Sequence, residues 1–140
     1  MGEVHGSCHC GAIRVSYVSD GPMAGRRCRC GFCRRHGGLY TTDPAGRLSV
    51  EAAAGALNRY RFGQRTADFL LCAHCGVLVA VTAGIDDTLR GVVNLAVMEP
   101  PVDLPSDIPA MDFEGESEQD RTDRRRRNWI GHVEIKEVSS

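Results

Sequence analysis

Arg26-Arg27-Cys28-Arg29-Cys30-Gly31-Phe32-Cys33-Arg34-Arg35 concentrates three thiols and five arginines in one short stretch. Core packing alone does not account for that density. A free cysteine can be buried as a small hydrophobe, but arginines on both sides are costly to bury with it. A bound metal or a reactive thiolate accounts for it better. Working outward, Cys8 and Cys10 lie upstream and Cys72 and Cys75 downstream. The chain therefore reads as a small metal protein with one three-thiol cluster and two thiol pairs.

The 140 residues suit one domain over 1–140 with a modest core of its own. Gly, at 16 residues, suits many turns and short strands. The formal net charge of −1 gives no general push toward nucleic acid or an acidic membrane surface. Seven cysteines are an odd number, and a one-residue spacer is too short for a comfortable bridge within either Cys8/Cys10 or Cys28/Cys30. No apolar signal segment stands at Met1–Gly6, and no apolar run approaches the roughly 18 residues of a membrane helix. A soluble, cytoplasmic protein with reduced thiols is expected, and reduced thiols favour metal binding or catalysis over disulfides.

The fold class expected is mainly β and mostly antiparallel. Residues 12–18 alternate apolar and polar, the period of a half-buried strand. Short strands are expected at 39–42, 48–53 and 59–62, residues 69–71 run into the second thiol pair, and Val77–Thr82 reads as a buried strand. Ile85-Asp86-Asp87-Thr88 turns the chain back into a strand over 89–97, and 129–135 reads as a closing strand. No long helix is expected before residue 110. Residues 100–128 read as a Pro-rich and charged loop with freedom to move. Asp120/Arg124 and Asp123/Arg127 sit four apart, which also allows a short solvated helix there.

Cys8-x-Cys10-Gly11 and Cys72-x-x-Cys75-Gly76 each end in glycine, which suits a tight turn that points two thiolates at one ion. Two such knuckles can close a tetrahedral four-cysteine site. Cys28, Cys30 and Cys33 offer three thiolates from one short loop, leaving a fourth position for water or substrate. The competing reading closes that site with His36. A site pairing Cys28 or Cys30 with Cys72 and Cys75 is also open on spacing alone. The flanking arginines, Arg34 and Arg35 among them, suit recognition of carboxylates. The Arg124–Arg127 run reads as a charge-paired, solvated segment rather than a phosphate-binding one.

Gly6-Ser7-Cys8-His9-Cys10-Gly11, Cys28-Arg29-Cys30-Gly31-Phe32-Cys33-Arg34-Arg35-His36-Gly37-Gly38 and Cys72-Ala73-His74-Cys75-Gly76 together resemble the signature of the glutathione-dependent formaldehyde-activating enzyme family, with the similar centromere protein V group. All seven cysteines fall on its pattern, and the resemblance covers roughly residues 3–100. It implies a small zinc-containing β-sheet fold like that of methionine sulfoxide reductase B and the Rab guanine-nucleotide-exchange suppressor. It also implies two Zn²⁺ ions: a structural one on Cys8, Cys10, Cys72 and Cys75, and a catalytic one on Cys28, Cys30 and Cys33. The implied reaction joins formaldehyde and glutathione into S-hydroxymethylglutathione, the work of a carbon–sulfur lyase. Arg34 and Arg35 are the expected substrate-binding residues, and the expected partner is a small thiol or aldehyde, with no membrane or nucleic acid. Gly31 stands where serine is common in the family, and the acidic–Arg segment before Trp129 has no counterpart in the signature. The alternatives are a non-catalytic zinc-binding module for protein or nucleic acid, and a zinc enzyme with a different small substrate.

Overall fold

The computed structural model describes residues 2–21, 23–104, 106–113 and 115–138. In chain order the elements are β1 (Gly2–Ser7), β2 (Ile13–Ser19), β3 (Arg26–Cys28), α1 (Gly31–His36), β4 (Leu39–Thr41), β5 (Arg47–Ala52), β6 (Leu57–Tyr60), β7 (Asp68–Cys72), β8 (Leu78–Ile85), β9 (Thr88–Asn94), β10 (Ala110–Met111), α2 (Glu118–Asn128) and β11 (His132–Glu137). They form a four-stranded sheet, β1-β2-β5-β11, and a seven-stranded sheet, β10-β3-β4-β9-β8-β7-β6. Pairing is antiparallel except for β11 beside β5 and β10 beside β3. The expectation of a mainly β, mostly antiparallel protein therefore holds.

Alternation sets the smaller sheet. Ile13, Val15 and Tyr17 of β2 are buried, as are Leu48, Val50 and Ala52 of β5, and Val15 lies opposite Val50. One face thus carries the apolar side chains of both strands, and it packs on Leu70, Val79 and Val93 of the larger sheet. The larger sheet is covered on both faces, which is why β8 is apolar at nearly every position. Its other face gathers Leu78, Val81, Ala83 and Ile85 with Tyr40, Trp129 and Cys33. That second cluster places apolar packing directly beside the cysteine–arginine stretch.

Close approach of β1 to the backbone of Val97 and Met98 leaves no room at Gly6. A Cβ there would overlap the Val97 carbonyl and come 2.9 Å from the Met98 Cα. Backbone cannot yield as a flexible side chain can, so Gly6→Ala is expected to cost about 2–3 kcal/mol. A urea midpoint shift with an unchanged slope checks this; an unshifted midpoint would mean that the contact relaxes freely.

Several boundaries differ from expectation for identifiable reasons. The strand expected at 59–62 runs instead over Leu57–Tyr60, so Phe62 leaves the sheet and faces a cavity. The strand expected to reach Val97 stops at Asn94, whose side chain accepts from the Ala96 N–H and donates to the Leu78 carbonyl at 2.8 Å; a single 3₁₀ turn follows. The β8–β9 turn forms where expected, with Asp86 and Asp87 both at positive φ, the geometry of a two-residue hairpin.

The described residues of 100–128 are more structured than a loop. They contain β10 and the three-turn helix α2, capped by the Ser117 side chain accepting from the Asp120 N–H at 3.1 Å. The charge partners also differ from the i,i+4 pairs read from sequence. Arg124 turns to Glu116, and Arg126 binds Asp123 and Asp86. Nor is α2 simply solvated: Arg125 is only 8% exposed.

Candidate metal centres and active site

Cys8, Cys10, Cys72 and Cys75 converge from two knuckles. Gly11 and Gly76, at φ 85° and 81°, supply the left-handed turn residue that each knuckle needs. All four sulfurs lie within 4.8 Å of one another, with Cys8–Cys10 at 3.7 Å and Cys10–Cys72 at 3.6 Å. Four thiolates around a tetrahedral ion with bonds of about 2.3 Å stand about 3.8 Å apart, so the donor set fits a metal. Backbone N–H groups aim at the sulfurs: Ile13 N donates to Cys8 Sγ at 3.3 Å, and His74 N and Cys75 N donate to Cys72 Sγ. The Cys75 thiol is lowered to about 6, first through a backbone hydrogen bond with Cys10.

Cys28 ends β3, Cys30 caps α1 and Cys33 lies in its first turn. Their sulfurs also fall within 4.8 Å of one another. The cap itself builds the cluster, because Cys33 N donates to Cys30 Sγ at 3.3 Å. Cys33 Sγ lies 3.2 Å from the buried Tyr40 hydroxyl. Gly38 makes room for that hydroxyl, since a Cβ there would stand 2.6 Å from it. Hydrogen bonding with Cys33 holds the Cys28 thiol down at about 6, while the Cys33 thiol is driven up by that same bond and by burial. One thiol of the trio is thus primed to ionise before the others.

The trio does not share ligands with the knuckles, and His36 does not join it. His36 is exposed at the end of α1, with its ring 4.4 Å from that of Phe32. The three sulfurs instead face a cavity of about 620 Å³. Phe62, Phe69, Val81 and Val92 form its apolar wall. Arg34 and Arg35 are exposed on α1 and do not line it; Arg35 donates to the Gly31 carbonyl at 2.9 Å. Its arginines are Arg26 and Arg27 from β3 and Arg121, Arg124 and Arg125 from α2.

α2 is clamped over the cavity by Glu116. Arg124 binds it through Nε and Nη2, each at 3.0 Å, and Arg121 Nε at 3.2 Å. The Arg124 guanidinium also lies 3.5 Å over the Phe113 ring. These bonds, Arg124 first, hold the Glu116 carboxyl below its ordinary range. A depressed folded-state value means stability present at neutral pH and lost as pH falls below about 4.5 through the folded value. Glu116→Gln is expected to cost about 1–3 kcal/mol at pH 7 and to flatten this part of the acid limb. Chemical denaturation at pH 7 and pH 3.5 checks both, and identical acid limbs in the two proteins would count against the clamp.

Sequence reasoning missed Tyr40, Glu116 and the α2 arginines as parts of this cavity. Ser117-Glu118-Gln119-Asp120 was the available signal, because Ser with an acidic residue three places on marks a helix start. The helix has no apolar stripe that would reveal its buried face.

Against this geometry, a sequence model of the glutathione-dependent formaldehyde-activating enzyme family matches residues 3–110. The chain belongs to this family. A Halomonas elongata protein carrying the same family designation is 40% identical over 55 residues, a match covering 38% of this chain and 35% of that protein. A crystal structure of a Rhodobacter sphaeroides protein superposes with a TM-score of 0.61 at 32% identity, covering 76% of this chain and 99% of that one. Both cysteine groups lie inside the family region, whereas α2 and β11 lie beyond it. Among the described residues no helix is long and apolar enough to cross a membrane.

Proposed function

We propose that this protein is a zinc-dependent carbon–sulfur lyase that interconverts glutathione plus formaldehyde with S-hydroxymethylglutathione. One observation carries the reading: three converging thiols open onto a cavity walled by aromatic side chains and arginines, with no fourth metal-ligating side chain beside them among the described residues. Membership of a glutathione-dependent formaldehyde-activating family supports this choice of substrates. Cys8, Cys10, Cys72 and Cys75 are the proposed structural ligands, and Cys28, Cys30 and Cys33 the proposed catalytic ones. Held by Cys28, Cys30 and Cys33, zinc would supply a Lewis acid able to take a thiol or an aldehyde oxygen.

In the synthetic direction a carbon–sulfur bond forms, the aldehyde π bond breaks, and the thiol proton ends on the new hydroxyl oxygen. The chain's own groups assist in distinct ways. Burial raises the Tyr40 phenol well above its ordinary range, so it stays protonated and holds Cys33 in place. The Phe62, Phe69, Val81 and Val92 wall disfavours water, which competes for the aldehyde by hydrating it. Cavity arginines offer bidentate contacts to glutathione carboxylates and so fix the thiol's position; Arg34 and Arg35, exposed on α1 and outside the cavity lining, are proposed to add a weaker contact at most. The seven free thiols accord with a reducing, cytoplasmic setting. The two-sheet arrangement is compatible with the resemblance to methionine sulfoxide reductase B.

Exchange NMR of formaldehyde with glutathione, with and without the protein, tests the reading. Accelerated exchange with glutathione but not with 2-mercaptoethanol is the expected result. No acceleration with any thiol would remove the reaction and favour a zinc-binding module or a different substrate.

A further inference from the structure

Arg125 stands apart from every other arginine of the cavity. It is 8% exposed, it lines the cavity, and its guanidinium lies 4.7 Å over the Trp129 ring. Nη1 donates to Thr66 Oγ1 at 2.8 Å, while Nε is buried without a hydrogen-bond partner. Among the described residues no carboxylate pairs with it, because Glu116 is already taken by Arg121 and Arg124. Burying a cation without a counter-ion is costly unless something else supplies the charge. Burial, and then the neighbouring Arg124 and Arg121, draw the Arg125 guanidinium down to about 10, which leaves it charged at neutral pH. Among the described residues, Glu116 is the one carboxylate in a cavity lining that includes five arginines. A ligand carboxylate would supply the negative charge that no described residue gives Arg125 by direct pairing.

We propose that Arg125 is the carboxylate anchor of this cavity, contributed by a helix outside the family region, and that the site selects small thiols bearing a carboxylate over neutral thiols. The inference rests on the thiol–aldehyde reading for the thiol but not for the carboxylate. Thr66 holds the guanidinium through Nη1 and the Trp129 ring lies beside it, so its position is fixed before a ligand arrives. Arginine in such a fixed, stacked setting offers a planar fork that matches a carboxylate, and lysine does not reproduce it. The sulfur trio occupies another part of the same cavity. A ligand with a thiol at one end and a carboxylate at the other would meet both kinds of group within one cavity.

Trp129, the only tryptophan of the chain, reports binding directly. The experiment titrates the metal-loaded protein with 3-mercaptopropionate, propionate and the uncharged 3-mercaptopropan-1-ol, following Trp129 fluorescence and heat. The acid thiol is expected to bind at least about tenfold more tightly than the alcohol thiol, as charge-assisted hydrogen bonds imply. Arg125→Gln is expected to erase that preference and Arg125→Lys to restore part of it, with metal content and circular dichroism unchanged. Equal affinities for acid and alcohol in the wild-type protein overturn the proposal without needing any variant. So does an acid preference that survives in Arg125→Gln. An acid preference that depends on Arg125, together with no acceleration of formaldehyde exchange, upholds the anchor and sinks the reaction. Accelerated exchange with acid-indifferent binding does the reverse.

Discussion

Replacing Cys72 with serine is expected to unfold the protein. Cys72 is 2% exposed at the end of β7, and its sulfur accepts two backbone N–H groups while standing 3.6 Å from Cys10 Sγ. Cys8 and Cys10 lead into the four-stranded sheet, whereas Cys72 and Cys75 belong to the β7–β8 connection of the seven-stranded one. An ion held by all four therefore ties the two sheets together across their shared core. Structural zinc sites in small peptides contribute about 10–16 kcal/mol, as much as or more than the net stability of roughly 5–15 kcal/mol typical of a whole domain. Serine is a poor ligand and leaves its hydroxyl buried among thiols. Loss of one metal per chain with collapse of the cooperative thermal transition is the expected result. The same collapse should follow prolonged chelation of the wild-type protein. A Cys72→Ser protein that melts within a few degrees of wild type would show that the four-cysteine group does not brace the fold.

Cys28→Ser is expected to do the opposite. It should abolish exchange catalysis by a factor of about 10³ or more, remove the central metal and leave the fold standing. Cys28 is half-buried at the end of a three-residue strand, and its cluster sits on one short loop and one short helix. No second sheet is tied through it. Its thiol, at about 6, is also the one poised to be anionic at neutral pH. Metal analysis, circular dichroism and exchange NMR on the same sample separate the two roles. Unfolding as complete as that of Cys72→Ser would mean that the trio is structural. Full activity would mean that chemistry happens elsewhere.

The two substitutions also separate what is local from what is not. Cys28, Cys30 and Cys33 lie within one helix start, so their convergence follows from local geometry once Cys30 caps α1. The knuckles behave similarly, with spacing and a following glycine sufficient to fold each pair. Strands β2, β5 and β8 were legible because alternation, or an unbroken apolar run, is the direct imprint of which faces are covered. α2 was not legible as a cavity wall because its residues are all polar. Its buried side is an arginine rather than a leucine, and no hydropathy period records that.

From sequence alone came the mainly β class, the thiol trio, the two separate thiol pairs and the kinship that follows from their spacing. These are short-range facts, set by side-chain periodicity, by turn chemistry and by the reach of a few neighbouring bonds. Only the tertiary structure decided that the trio opens onto a cavity, that His36 stays out of it, and that Arg125 rather than Arg34 or Arg35 lies in its wall. Those depend on segments far apart in the chain meeting in space, here residues near 28, 66 and 125, and no local pattern encodes such a meeting.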